Sequence, residues 1–237
     1  MKAQVDERTA VKNRILASLG RKQRRQLLPM LKPKSYSTRE MVYDVDQPID
    51  VVVFPLNGVF SMVSVSDGKE TVEVATIGNE GLIGLPVFFQ TQRIPLQVFS
   101  QVAGEALTMS ARDFRKALRD SDGALADVLL RYTQVLFNQI AQSAACNAIH
   151  LLNERCARWL LMTHDRTGSD AFMLTQDFLA QMLGVRRASI NEAVAALQKN
   201  NLISYKRGEL RILDRKGLEA AACHHYYIIK KEYDRLF

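Results

Sequence analysis

Arg186-Arg187-Ala188-Ser189-Ile190-Asn191-Glu192 puts two guanidiniums, a hydroxyl, an amide and a carboxylate on one short segment. These are groups that read base edges. An arginine can offer two donors to guanine O6 and N7, and a glutamate can accept from cytosine N4. The residues around them fix which way they point. Ile190, Ala193, Val194 and Leu197 recur at i, i+3, i+4 and i+7, so a helix here carries one apolar stripe. Ala188, Asn191, Glu192, Ala195 and Lys199 then fall on the opposite face. Arg187, Ser189, Asn191 and Glu192 are the expected base-edge contacts, with Arg186 and Lys199 on the phosphate backbone.

The elements that must hold this helix are legible on either side. Residues 176–195 read as two short helices meeting at Gly184, which supplies a turn residue tolerant of positive φ, while small Ala180 allows close approach. Thr175 is placed to cap the first helix and to lie near a DNA backbone, and Asp177 suits the positive first turn. Asn200-Asn201 ends the second helix. Leu202 to Tyr205 and Leu210 to Leu213 then read as strands around a Lys206-Arg207-Gly208-Glu209 turn. Lys206 and Arg207 at such a tip meet phosphates without reading sequence. The plainer alternative is a helical hairpin with a solvated face.

The segment LTQDFLAQMLGVRRASINEAVAALQKNNLISYKRGELRILDRKGLE resembles the winged helix of Crp/Fnr-type bacterial transcription regulators, without a gap through both helices and wing. In that family an Arg-Glu pair opens the recognition helix and a second Arg follows four residues after the Glu. Arg187 matches the first Arg, but Ala188 stands in place of the Glu and Glu192 in place of the second Arg, so the family's usual half-site does not transfer. The resemblance implies double-stranded DNA as partner and names RNA polymerase as a further one.

From about Tyr36 to Met109 the pattern turns to strands: Ile49 to Phe54, Val59 to Val65 and Thr71 to Ile77, rich in β-branched residues and separated by Pro55-Leu56-Asn57-Gly58 and Ser66-Asp67-Gly68-Lys69. Short strands with glycine turns suggest a jelly-roll barrel. A cupin-type metal enzyme would want several imidazoles on the strands, and His150, His164, His224 and His225 all lie outside them. Relatives that bind cyclic nucleotides grip the ribose with a Glu and the phosphate with an Arg-Ser pair. Here Leu82 of Gly81-Leu82-Ile83-Gly84-Leu85 stands where that Glu belongs, and Ile94-Pro95-Leu96 where Arg-Ser-Ala would be. Arg93 is one residue away, but a shift of one residue along a strand points a side chain to the other face. Cyclic nucleotide binding is not expected, and Pro86-Val87-Phe88-Phe89 reads as core, with a pocket for another ligand as the alternative.

Charge divides the 237 residues unevenly. The net charge of +7 resolves into +8 over residues 1–40, −5 over 41–149 and +4 over 150–237, so the acidic middle is not a DNA surface. Basic Arg21-Lys22-Gln23-Arg24-Arg25 is interleaved with Ile15, Leu16, Leu19, Leu27, Leu28 and Leu31, which favours packed helices over a separate binding role. No apolar run approaches the roughly 20 residues of a membrane span, and residues 1–41 are too charged for a signal peptide. A cytoplasmic protein is expected. Cys146, Cys156 and Cys223 are widely spaced and suggest buried or incidental thiols; some relatives hold an iron–sulfur cluster through closely spaced N-terminal cysteines, and none precedes Cys146. No metal site or cofactor is expected.

Ser110 and Ser121-Asp122 each open a helix. Along the second, Leu125, Val128, Leu129, Tyr132, Val135, Leu136 and Ile140 are too many apolar positions for one buried face. One face suits the barrel. The other, with Leu125, Leu129, Tyr132, Leu136 and Ile140, suits the same helix of a second copy, as the resemblance also implies. A pair of reading helices would reach successive major grooves roughly 34 Å apart and bind a pseudo-palindrome. The expected α+β architecture is therefore N-terminal helices and a jelly-roll, effector-like domain over 1–120, a dimerisation helix over 121–148, a winged helix-turn-helix over 149–219 and a C-terminal helix over 220–237. The expected function is sequence-specific transcription regulation by a homodimer independent of cyclic nucleotides. A regulator with an unidentified small effector and a scaffold that keeps the fold without DNA are the alternatives.

Overall fold

A computed structural model describes residues 5–66 and 71–237; the turn expected at Asp67-Gly68-Lys69 lies outside them. Three short helices, α1 (Glu7–Ala10), α2 (Arg14–Ser18) and α3 (Arg21–Leu27), open the chain. Asn13 caps α2 and is fully buried, donating to the carbonyls of Pro55 and Gly81 at 3.0 and 2.9 Å, so it fastens the helices to the sheets behind them. Ile15, Leu16, Leu19, Leu27 and Leu31 are buried beneath. The basic cluster spends its charge locally: Arg24 donates to the carbonyls of Leu16, Ala17 and Leu19, while Arg21 and Arg25 meet Glu7.

Seven antiparallel strands follow among the described residues: β1 (Lys32–Tyr36), β2 (Met41–Tyr43), β3 (Val51–Pro55), β4 (Val59–Val65), β5 (Thr71–Ile77), β6 (Leu96–Val102) and β7 (Gly104–Ser110). A four-residue helix, α4 (Leu85–Phe88), interrupts them. Among the described residues they form two sheets, β1-β7-β3 and β2-β6-β4-β5, in a jelly-roll arrangement. Tyr36 on one sheet meets Phe60 on the other edge-to-face at 5.2 Å, across a core that holds Phe54, Leu107 and Phe114. The first five residues of β4 are buried on both faces. That is why it lacks the strict alternation of a half-buried strand.

Ser110 caps α5 (Ala111–Asp120) as expected, its Oγ accepting from Asp113 N at 3.0 Å. The long helix α6 runs Ala124–Ile149, beginning three residues later than Ser121 because Asp122 and Gly123 take positive φ. After a two-residue joint come α7 (Leu152–Thr167), β8 (Ala171–Met173), α8 (Gln176–Leu183), α9 (Arg187–Lys199), β9 (Ile203–Lys206), β10 (Glu209–Ile212), α10 (Arg215–Ala221) and α11 (His225–Leu236). The last helix folds back along α6, where Asn138 Nδ2 donates to Glu232 Oε2 at 2.9 Å.

This packing corrects the expected dimer face. Leu125, Leu129 and Tyr132 are fully buried and Leu136 nearly so, all within the single chain. Tyr132 donates to Leu82 O and presses against Gly81, where any Cβ would stand 2.5 Å from its hydroxyl. These positions are covered within the single chain and leave little for a second copy to bury, while Ile140 is half-covered. What α6 leaves in solvent is another seam. Leu130 and Phe137 are 56% and 65% exposed, with Ala141, Ala144 and Ala148 continuing the line at spacings of three, four and seven. Leu151, in the joint, is 70% exposed seven residues beyond Ala144.

Candidate nucleic-acid interface

Thr175 has extended φ/ψ and its Oγ1 accepts from Phe178 N at 3.2 Å, opening α8. Gly184 closes α8 at φ 63°, ψ 42°, left-handed geometry that favours glycine. Arg186 begins α9 in an extended conformation, so the two helices meet across a three-residue turn. Ile190, Ala193, Val194 and Leu197 are buried, whereas Ala188, Asn191, Glu192, Ala195 and Lys199 are exposed, as are Arg186 and Arg187; Ser189 is half-exposed. The exposed face runs about 18 Å from Arg187 to Lys199 at 1.5 Å per residue. Arg187 Nε lies 3.4 Å from Asp177 Oδ1, both side chains more than 60% exposed. Such a pair is worth under about 1 kcal/mol, so it orients the guanidinium without holding it back from a base.

The wing is a two-residue hairpin in which Arg207 and Gly208 both have positive φ, 52° and 83°, the pattern that matches the twist of its strands. Lys206 and Arg207 stand exposed at its tip. Sequence reasoning missed a third strand: β8 pairs with β10 through Glu209 and Met173, Leu210 and Phe172, and Arg211 and Ala171, bracing the hairpin. Three residues are too few for a legible alternation.

The helix-turn-helix is docked onto the four-stranded sheet. Gly184 sits against Val72 of β5, Gln181 Nε2 donates to Thr71 Oγ1, and Phe178 meets Phe99 of β6 edge-to-face at 6.0 Å. Deeper in, Glu80 Oε1 accepts from Arg166 Nε at 2.8 Å with both side chains 7% exposed. That pair ties the loop after β5 to α7.

Glu73 of β5 accepts from Trp159 Nε1 of α7 at 2.7 Å, and its other oxygen lies 2.6 Å from Ser61 Oγ. Ser61 Oγ is also 2.9 Å from Gln101 Oε1, whose amide donates to Thr163 Oγ1 at 3.0 Å. A single hydroxyl proton serves one acceptor. Every member is satisfied when Glu73 is protonated and donates to Ser61, which donates to Gln101. Burial drives the Glu73 carboxyl from 4.5 up to about 7, against the lowering effect of its hydrogen bonds and of Arg158 and Arg166. The folded state therefore binds the proton more tightly than the unfolded chain. Stability from this group is full below about pH 4.5, falls as pH rises and is gone above about pH 7, a difference of at most about 3 kcal/mol. Glu73→Gln mimics the protonated form, so in urea titrations its stability relative to the unmutated protein should rise from about pH 5 to about pH 8. A pH-independent difference would show that Glu73 stays ionised.

The positions matching the cyclic-nucleotide grip carry nothing for a phosphate. Leu82 and Ile83 are buried, Ile83 exchanging 2.9 Å hydrogen bonds with Val53. Pro95 is exposed and Arg93 points to solvent on the segment before β6. The structure also joins two thiols that are 77 residues apart in sequence: Cys146 Sγ of α6 lies 3.2 Å from Cys223 Sγ before α11. No local spacing signals that meeting.

Two family profiles match the chain. "Cyclic nucleotide-binding domain" covers residues 33–121 and "Crp-like helix-turn-helix domain" covers residues 154–221. No curated protein matches. Among solved structures, a transcriptional regulator of the crp/fnr family from Eubacterium rectale is similar at 16% identity over 89% of this chain and 98% of its own, with a TM-score of 0.68. FixK2 from Bradyrhizobium japonicum is similar at 16% identity, 81% and 98% coverage and a TM-score of 0.68. The c-di-GMP responsive global regulator CLP of Xanthomonas campestris gives 15% identity, 81% and 99% coverage and 0.64. At such identities the likeness is one of fold.

Proposed function

We propose that this chain, which belongs to the Crp/Fnr family of transcription regulators, whose members are not enzymes, acts as a homodimer on a pseudo-palindromic DNA site without a cyclic nucleotide. The observation that carries the reading is the amphipathic α9. Its apolar stripe is buried to the last residue, and its other face leaves Arg187, Asn191 and Glu192 exposed and Ser189 half-exposed near its N-terminus, where a recognition helix meets base edges. These four are assigned to base edges, and Thr175, Arg186, Lys199, Lys206 and Arg207 to phosphates. The units are an effector-like domain over 1–120, a connecting helix, a reading domain over 149–219 and a C-terminal segment that returns to α6. Pairing is assigned to the exposed seam of Leu130, Phe137, Ala141 and Ala144. No helix among the described residues is long and apolar enough to cross a membrane. RNA polymerase is a partner drawn from family resemblance alone.

Arg187→Ala should relax preference at one base of each half-site by about 1–3 kcal/mol. Lys206→Ala or Arg207→Ala should weaken all sequences alike and lower the slope of log affinity against log salt by about one for each phosphate that is no longer neutralised. Binding curves at several salt concentrations, on selected and scrambled duplex, separate the two behaviours. If Arg187→Ala leaves the preference intact while a wing change removes it, the wing is the reader.

Effector independence rests on buried Leu82 and on Ile94 and Pro95, which leave a cyclic phosphate without its guanidinium and without one backbone donor. Titration calorimetry with cyclic AMP and cyclic GMP should give no binding heat. Micromolar binding of either would overturn this part of the reading and bring Arg93 forward.

A further inference from the structure

The joint between α6 and α7 consists of His150 and Leu151, and soft and borderline ligands crowd around it. Cys146 lies one helical turn before His150 on α6, and Cys223 and His225 bring the start of α11 against them. Both thiols are buried, and the ligand atoms of Cys146, Cys223 and His225 all lie within 4.8 Å of one another. The ring of His150 stands 4.8 Å from that of His225, edge to face.

Three features go beyond proximity. His225 Nδ1 is buried with no hydrogen-bond partner, an orphan that a disulfide between the two thiols would leave unsatisfied and a bound cation would not. His150 Nδ1 lies 3.5 Å from Glu154 Oε2, which also accepts from Leu151 N at 2.9 Å, so a carboxylate backs one ring nitrogen and leaves the other to point elsewhere. The sulfurs are 3.2 Å apart, and a tetrahedral ion with bonds of about 2.3 Å would separate them to about 3.8 Å, an opening of roughly half an ångström.

We propose that Cys146, His150, Cys223 and His225 form a tetrahedral Zn²⁺ site that pins the start of α11 to the joint between the connecting helix and the reading domain. Two thiolates and two imidazoles are a donor set for a borderline-soft divalent ion and a poor one for Mg²⁺ or Ca²⁺. The site is independent of the reading face.

Tag-free, full-length protein, stripped with a chelator and kept reduced, should be titrated with Co²⁺ and then Zn²⁺. One Co²⁺ per chain should bind with thiolate-to-cobalt charge transfer and intense tetrahedral d–d bands, and Zn²⁺ should displace it. C146S and C223S should lose the charge transfer contributed by their sulfur and weaken binding at least about 100-fold, and Glu154→Gln about 10- to 100-fold. Partly buried His225→Ala is the second variant should a serine change unfold the chain, and it should weaken binding as C223S does. Absence of thiolate charge transfer in the unmutated protein, or unchanged affinity in C223S and His225→Ala, overturns the site.

Discussion

Phe137→Asp should give a folded monomer that no longer holds a two-half-site duplex. Phe137 is 65% exposed in one chain, so a carboxylate there costs the monomer's fold little. In a dimer joined along Leu130, Phe137, Ala141 and Ala144 the same carboxylate would enter an apolar seam opposite its twin, at a cost of several kcal/mol and a rise of more than about 100-fold in the dimer dissociation constant. Tyr132→Asp must behave differently. Tyr132 is fully buried against Gly81 and Leu82, and losing such a ring costs about 3–5 kcal/mol before a buried carboxylate is counted. Light scattering and a thermal melt on both variants distinguish them: a lower mass with an unchanged melt for Phe137→Asp, a collapsed melt for Tyr132→Asp. A Phe137→Asp protein that remains dimeric would move the interface off α6.

The second large effect is at Glu80. Removing its carboxylate leaves Arg166 buried at 7% exposure beside Gln139 and Met162 O, with its charge uncompensated. Glu80→Ala should therefore lose about 3–5 kcal/mol, and for a chain of this size the melting temperature should fall by about 6–20 °C. Replacing both partners by apolar residues, as in Glu80→Leu with Arg166→Met, should recover most of the loss, because the penalty lies in the orphaned charge. Calorimetric melts of the single and double variants decide it. A single variant within about 0.5 kcal/mol of the starting protein would mean that water reaches Arg166.

The features legible in the sequence are those fixed by neighbours along the chain. Gly184, Thr175 and the stripe from Ile190 to Leu197 were readable because caps, turns and helical period act within a few residues, and β4 and β5 kept their expected bounds for the same reason. The face that α6 leaves exposed was not. Periodicity showed that α6 buries more than one face, but α11, some 90 residues on, decides which face remains. Nothing local marks Glu73 within Thr71 to Ile77, and its partner Trp159 is 86 residues away. Cys146 and Cys223, 77 residues apart, were out of reach for the same reason. Long-range packing chose all three.

Selection of bound sequences from a random duplex library with the full-length protein tests the account most directly. It predicts enrichment of two inverted half-sites about 10–10.5 base pairs apart centre to centre, with and without added cyclic AMP, and loss of information at one position of each half-site when Arg187→Ala is selected in parallel. A library that emerges unenriched, or one whose enriched motif is a single asymmetric element unchanged by Arg187→Ala, contradicts it.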